Sequence, residues 1–413
     1  MTLRVSGNSK LVGQVELSSS KNAILPILAA ALLSSGPVKI NKVPKIKDVT
    51  IMIKLLKELG LSIKHRQDSL IINGEPEFTD ACYDLVRKIR ASFLIAGPLL
   101  GRKGKVMISY PGGCAIGNRP IDLHLKGFQA LGADINISSG NVIARADYLS
   151  ANHIYLDFPS VGATENIIMA ATMARGVTYI ENAALEPEIV DLANFINSMG
   201  GRIKGAGSNL IKIEGVTQLG GTEYTPIPDR IEAGTYMVAA AATGGEVVIK
   251  NTIPEHVKAI SAKLKESGAT VVETEDYIQV SRNGPIKPVY IKTLPYPGFP
   301  TDMQAQFMAY LGSAQGSSVL TESVFENRFM HVPELVRMGM SIKTEGRTAI
   351  IKGVSKFTAA TVRATDLRAG AALIIAALTA DGDTIITNSE HIDRGYENIV
   401  DKLNALGARI YRI

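Results

Sequence analysis

Apolar and polar positions follow one long pattern along this chain, repeated six times. Each repeat opens with a helix-length apolar run rich in Ala, Leu and Ile: KNAILPILAAALL, RASFLIAGPLL, ATENIIMAATMA, EAGTYMVAAAA, TDMQAQFMAYL and LRAGAALIIAAL. A glycine then turns the chain into a short strand (VKI, VMI, VTYI, VVI, SVL, TII). A loop marked by Pro or Glu leads into an amphipathic helix such as KDVTIMIKLLKELG or EIVDLANFINSMG, and a two-stranded segment such as LSIKHRQDSLIING closes the repeat. The amphipathic helices end at Gly60, Gly132, Gly200, Gly268, Gly339 and Gly407, separated by 72, 68, 68, 71 and 68 residues. A second series, Gly36, Gly104, Gly176, Gly245, Gly316 and Gly382, falls between them. Two interleaved series of this regularity identify six copies of one unit of about 69 residues.

The first helix of each repeat is apolar nearly all round and must be buried on all sides, whereas the second is amphipathic and covers a sheet. Small alanine faces let three buried helices pack closely, so three repeats make one domain with helices inside and sheets outside. The predicted fold class is therefore α/β, a two-domain inside-out α/β barrel. Repeats one to three span residues 21–228, and repeats four to six span 229–413. The leftover N-terminal strand, within residues 1–20, is expected in the second domain, because the last repeat ends at Ile413 without a closing strand pair. Two chain crossings, near residues 20 and 228, suit a hinge.

Composition narrows the function classes. Two cysteines without metal-ligand spacing argue against a disulfide or zinc scaffold and predict a reducing compartment. The start, MTLRVSG, has no apolar signal region, and the longest apolar run, Ala23 to Leu33, has 11 residues and contains a proline. That is too short to cross a bilayer, so the chain is expected to be cytoplasmic with no membrane insertion. A formal charge of +5 without a long Lys/Arg block gives no reason to expect nucleic acid as a partner. No dinucleotide fingerprint, P-loop or metal-ligand cluster is present, and no cofactor or metal is expected.

Candidate chemistry gathers where the buried helices begin. Helix N-termini directed at a common interdomain cleft would form an anion site. At those openings stand Lys21 and Asn22, Arg90, Ser160 and Thr164, Asp229, Arg230 and Glu232, Asp302 and Gln304, and Asp366 and Arg368. Neighbouring loops add Glu186 and Glu188, Glu326 and Arg328, and His391, Asp393 and Arg394. Ser, Thr and Asp are ordinary caps, but Lys21, Arg90 and Arg368 are cations at the wrong end of a helix dipole and point to an anionic ligand more than to structural ion pairs. The loop YPGGCAIGNRPID sets Cys114 near Arg119, which favours a thiolate that works as nucleophile or acid. Cys82 opens an apolar helical pattern and is expected in the core. His391 beside Asp393 reads as a structural loop histidine more than a catalytic one.

The motifs SSSKNAILPILAA, PGGCAIGNRPIDLH, SVGATENI, ENAALEPEIVD, PDRIEAGT, FPTDMQAQF, VFENRFMHVPEL, ATDLRAGAAL and HIDRGYE resemble those of the UDP-N-acetylglucosamine enolpyruvyl transferase family across the whole chain. The resemblance implies transfer of the enolpyruvyl group of phosphoenolpyruvate to the 3'-hydroxyl of UDP-N-acetylglucosamine with release of phosphate, the first committed step of peptidoglycan synthesis. It implies that Cys114 protonates or covalently holds the enolpyruvyl group and is the cysteine alkylated by the epoxide antibiotic fosfomycin. Lys21, Arg119 and Arg394 would bind phosphoenolpyruvate, Arg328 and Arg368 would shape its side of the cleft, Asp302 would be the base at the sugar hydroxyl, and Asp366 would assist proton transfer. Asn22, Arg90, Arg119, Pro120, Ile121, Asp122, Leu123, Ser160, Val161, Gly162 and Val324 would hold the nucleotide sugar. The chain departs from the family pattern at Ser19 and Ser20, where Gly-Ala is common, at Phe158, where some members have Lys, and at Tyr296, where some have His. Rival readings are the sister reaction on shikimate 3-phosphate, whose family lacks the PGGC loop, and an inactive paralogue with a regulatory role.

Overall fold

A computed structural model describes residues 1–110 and 120–413. Cys114 and Arg119 lie outside the described residues. The described chain forms two compact units, one of Met1–Ser18 with Pro228–Ile413 and the other of residues 19–110 with 120–227.

The six apolar runs form buried helices, three to a unit: α1 (Lys21–Ala30), α2 (Ala96–Lys103) and α3 (Val161–Ala171) in one, and α4 (Arg230–Ala242), α5 (Gln304–Leu311) and α6 (Leu367–Thr379) in the other. In α1 every residue from Ala23 to Ala30 is buried, and in α5 every residue is. Each trio lies within one continuous apolar core per unit, as all-round apolar helices require. Two of the six open as tighter 3-10 turns, Arg90–Ile95 before α2 and Thr301–Met303 before α5. Pro98 explains the first, because it has no N–H for the carbonyl four residues back.

Three sheets surround each trio, giving the inside-out arrangement. Five sheets have four strands and share one plan: an antiparallel group of three, drawn from one repeat in four of the five, with a parallel strand added at the edge. The sixth, built on Lys105–Ser109, has three strands, and a single parallel bridge from Asp80 to Met107 stands where the added strand would be. In the last repeat the chain ends after Ile410–Arg412, and the N-terminal strand Thr2–Ser6 fills the central place between it and Asp383–Thr387.

The glycine series has a backbone cause. All six glycines that end the amphipathic helices have φ between +87° and +104°, where a side chain is strained, so each reverses the chain from helix to strand in the same way. Cys82 departs from expectation. It is exposed, at the N-cap of the four-residue helix Tyr83–Val86, because so short a helix buries only Leu85 and Val86.

Both crossings between the units are tied down. Within one unit Asp229 N donates to Ser18 O at 2.9 Å, and Ser18 N donates to the buried Glu232 carboxylate at 2.8 Å. In the other, Ser20 N donates to Ile227 O at 2.8 Å, and Ile227 N donates to the buried Asp191 carboxylate at 3.1 Å.

Candidate functional site

In the unit of α1 to α3, Lys21 opens α1 and lies 2.8 Å from Asp48, a buried acid in the first turn of the helix Lys47–Glu58. Asn22 follows it, and Pro26 lacks the N–H that would bond the Asn22 carbonyl. The Arg90–Ile95 turn packs beside α1, and Arg90 Nη2 approaches the Pro120 carbonyl at 3.4 Å. Pro120 and the buried Ile121 lead into the helix Asp122–Ala130, whose first turn carries Asp122 and Leu123. Ser160 caps α3 and accepts from Ala163 N, with Val161 and Gly162 in its first turn.

His124 joins these groups. A Cβ on Gly162 would meet its ring at 3.2 Å, and its Nδ1 lies 2.9 Å from Asn166 Nδ2. Asn166 Oδ1 accepts from Gly97 N at 2.8 Å and Nδ2 also reaches Phe93 O at 3.1 Å, so the amide donates to His124. Nδ1 is therefore the acceptor and Nε2 carries the proton. Burial, with Arg90 adding to it, lowers the His124 pKa to about 3, so the ring is a neutral donor at the opening of α3. Arg90, Pro120, His124 and Gly162 thus form one contiguous, donor-rich patch.

In the other unit the centre is Asp302. Arg328 Nη2 donates to one carboxylate oxygen at 2.8 Å, and Arg368 donates to the other through Nη2 at 2.9 Å and Nε at 3.2 Å. Burial pushes the Asp302 carboxyl up, but the two guanidinium charges and their hydrogen bonds outweigh it and hold it well below the usual carboxylate range. Both arginines are buried, and the Nη1 of each has no partner among the described residues. Two uncommitted charged donors beside a fully ionised carboxylate suit an anionic ligand.

Around this centre, Asp366 caps α6 through one oxygen, accepting from Arg368 N at 2.8 Å and Ala369 N at 3.0 Å. Val324 sits on a loop organised by Glu322, which is 1% exposed and accepts from Val324 N, Phe325 N, Thr293 Oγ1 and Thr301 Oγ1. Arg394 ends the 3-10 turn Ser389–Arg394. His391 lies on the same turn, while Asp393 pairs with Arg412 at 2.6 Å. Thr164, Asp229 and Glu232 have structural partners: Thr164 accepts from Ala184 N, Asp229 caps α4, and Glu232 binds Lys402 at 2.7 Å. The sequence did not reveal Asp48, His124, Asn166 or Glu322 as neighbours of these groups. Only His124 had a signal, its place one turn into the helix after PID.

A cavity of about 890 Å³ lined by Arg102, Lys103, Arg145 and Arg175, at the far ends of α2 and α3, contains none of the candidate residues.

The family model of EPSP synthase (3-phosphoshikimate 1-carboxyvinyltransferase) matches residues 5–403. UDP-N-acetylglucosamine 1-carboxyvinyltransferase 2 of Carboxydothermus hydrogenoformans is 57% identical over 413 residues, covering 99% of this chain and 98% of that protein. UDP-N-acetylglucosamine 1-carboxyvinyltransferase 1 of Caldanaerobacter subterraneus subsp. tengcongensis is 58% identical over 408 residues, with coverage of 99% and 98%. Among solved structures, the enolpyruvyl transferase NikO from Streptomyces tendae superposes with a TM-score of 0.89 at 25% identity, over 99% of this chain and 98% of that one. EPSP synthase from Acinetobacter baumannii shares the fold at a TM-score of 0.77 and 19% identity over the full length of both chains. With identity above one half along essentially its entire length, the chain belongs to the EPSP synthase family of carboxyvinyltransferases, on the branch of the UDP-N-acetylglucosamine 1-carboxyvinyltransferases.

Proposed function

We propose that this chain transfers the enolpyruvyl group of phosphoenolpyruvate to the 3'-hydroxyl of UDP-N-acetylglucosamine, releasing inorganic phosphate, in the cytoplasm, as the first committed step of peptidoglycan synthesis. The observation that carries the reading is the 57% and 58% identity, over 99% of the chain, to relatives named for that activity. In the addition half-reaction the 3'-hydroxyl gives its proton to Asp302 and its oxygen bonds to C2 of phosphoenolpyruvate, while C3 takes a proton. In the elimination half-reaction the C2–O bond to phosphate breaks and C3 returns the proton, leaving an enol ether. Cys114 is assigned to protonate the enolpyruvyl group at C3 or to hold it covalently at C2. Lys21, Arg119 and Arg394 take the phosphate and carboxylate, with Arg328 and Arg368 beside them. Asn22, Arg90, Arg119 to Leu123, Ser160 to Gly162 and Val324 hold the nucleotide sugar.

Asp302 has a condition attached to its role. A carboxylate clasped by two guanidinium groups is a weak base, and it gains basicity only as an anion draws those groups away. Phosphoenolpyruvate, engaging the spare Nη1 atoms of Arg328 and Arg368, would be that anion, so the base strengthens only once phosphoenolpyruvate is bound. Asp366 assists proton transfer through the oxygen that does not cap α6.

Phosphate release from phosphoenolpyruvate tests the assignment. Turnover is expected with UDP-N-acetylglucosamine and not with shikimate 3-phosphate. Turnover with shikimate 3-phosphate alone would transfer the chain to the sister activity, and none with either acceptor would make it an inactive paralogue.

A further inference from the structure

Tyr396 has no part in the roles above, yet it is 2% exposed and lies two residues beyond Arg394. Its hydroxyl is 2.9 Å from Thr235 Oγ1 on α4 and 3.3 Å from Gln306 Nε2 on α5. Its ring lies under the Arg368 guanidinium on α6, 5.4 Å from centroid to carbon. One side chain thus touches all three buried helices of its unit.

The proton directions in this cluster follow from its donors. Thr235 donates its own proton to the Ile231 carbonyl at 2.8 Å. Gln306 Nε2 can only donate, and it reaches both Thr235 Oγ1 at 3.2 Å and the tyrosine oxygen. Tyr396 must therefore donate to Thr235 and accept from Gln306. The phenol stays neutral, because burial raises its pKa.

Two cations depend on this anchor. Arg368 is forked onto Asp302 through Nε and Nη2 and faces the Tyr396 ring, which leaves the direction of its uncommitted Nη1 fixed. Arg394 ends a turn that seats Ile392 against Gly370 of α6, where a Cβ would collide with the Ile392 side chain, and Tyr396 N donates to the Ile392 carbonyl at 3.1 Å. We propose that Tyr396 is a positioning residue for phosphoenolpyruvate: its ring aims Arg368, and its hydroxyl ties the turn bearing Arg394 to α4 and α5. The inference rests on the assignment of Arg368 and Arg394 to phosphoenolpyruvate made above.

Steady-state phosphate release, with each substrate varied in turn, tests it on the wild type, Tyr396→Phe, Thr235→Val and the double variant. Phenylalanine keeps the ring under Arg368 and loses the hydroxyl, while valine removes the acceptor and keeps the volume. Each single variant should lower kcat/KM for phosphoenolpyruvate about tenfold, because a small misplacement of a binding group is costly. The KM for UDP-N-acetylglucosamine should stay within about twofold, and the double variant should lose less than the product of the two single losses, since both remove the Tyr396–Thr235 bond. A residue that served only the core would lower the melting temperature and affect both substrates alike. An active wild type with Tyr396→Phe unchanged, or with equal losses for both substrates, overturns the positioning role alone. A wild type that releases no phosphate overturns it together with the functional assignment.

Discussion

Lys21 stands at the positive end of a helix dipole, and the structure sets a buried carboxylate, Asp48, 2.8 Å away. The sequence exposed the misplaced cation but not this neighbour, because Asp48 reads as an ordinary first-turn acid of the next helix. Lys21→Ala therefore has two effects. Taking the cation from a buried pair costs about 3–5 kcal/mol of stability, and removing a preorganised charge costs on the order of 2–4 kcal/mol at the transition state. Asp48→Asn separates them: its denaturation midpoint should fall with kcat/KM within about tenfold of wild type, whereas Lys21→Ala should lose at least about thirtyfold in kcat/KM. Equal kinetic losses would show that Lys21 acts only through the pair. The cysteines carry a second prediction at this scale. Cys82 is exposed, but Glu58, Glu77 and Asp80 line the same depression, and an anionic electrophile such as fosfomycin is repelled there. Peptide mapping should find fosfomycin on Cys114 alone and neutral iodoacetamide on both cysteines; fosfomycin on Cys82 alone would refute the assignment of Cys114.

Elements were more legible than residues, because periodicity records which faces are buried and local chemistry records where chains turn. All six buried helices and all six strands that follow them lie where the apolar pattern put them. The 3-10 openings before α2 and α5 were not visible, since a 3-10 turn and a helix start share one apolar pattern over so few residues. Close approach between helices was also hidden. A Cβ on Gly97 in α2 would run into the Asn166 carbonyl of α3, while a Cβ on Gly132, at φ +95°, would meet nothing within 4 Å. Gly132→Ala should therefore cost about 1 kcal/mol from backbone strain alone, read as a urea midpoint, with unchanged kinetics. Gly97→Ala should cost about 1–3 kcal/mol from overpacking and also raise the KM for UDP-N-acetylglucosamine. It displaces Asn166, and with it the His124 donor beside Gly162. An unchanged KM would show that His124 is held independently of the helix contact.

Across the whole chain, the two crossings between units each rest on a buried carboxylate, and neither was distinguishable in sequence from a solvated acid. Burial raises the Asp191 pKa to about 6 against the hydrogen bonds of Tyr224 and Ile227. It raises that of Glu232 to about 7 against Lys402, with Asp229 adding to the rise. An acid whose pKa is higher in the folded state binds more protons there than when unfolded, so stability falls as pH rises from the unfolded value to the folded one. The buried histidines work the other way. Burial lowers His124 to about 3 and His331 to about 4, so the unfolded chain takes up their protons first and stability falls as pH drops below about 6.5. The two sets oppose each other between about pH 4.5 and pH 6.5, and the pH profile of the wild type alone hides both. Glu232→Gln isolates this one contribution, because every other titrating group is common to the pair and Lys402 keeps Ser18 Oγ as a partner at 2.8 Å. The stability of the glutamine variant relative to wild type should rise by about 2 kcal/mol between roughly pH 5.5 and pH 7 and then level off to pH 8.5, following the ionisation that the glutamine lacks. Chemical denaturation at matched ionic strength measures it. A difference that stays constant across this range would mean that Lys402 holds Glu232 ionised throughout, and the crossing at Ser18 would then rest on a permanent ion pair.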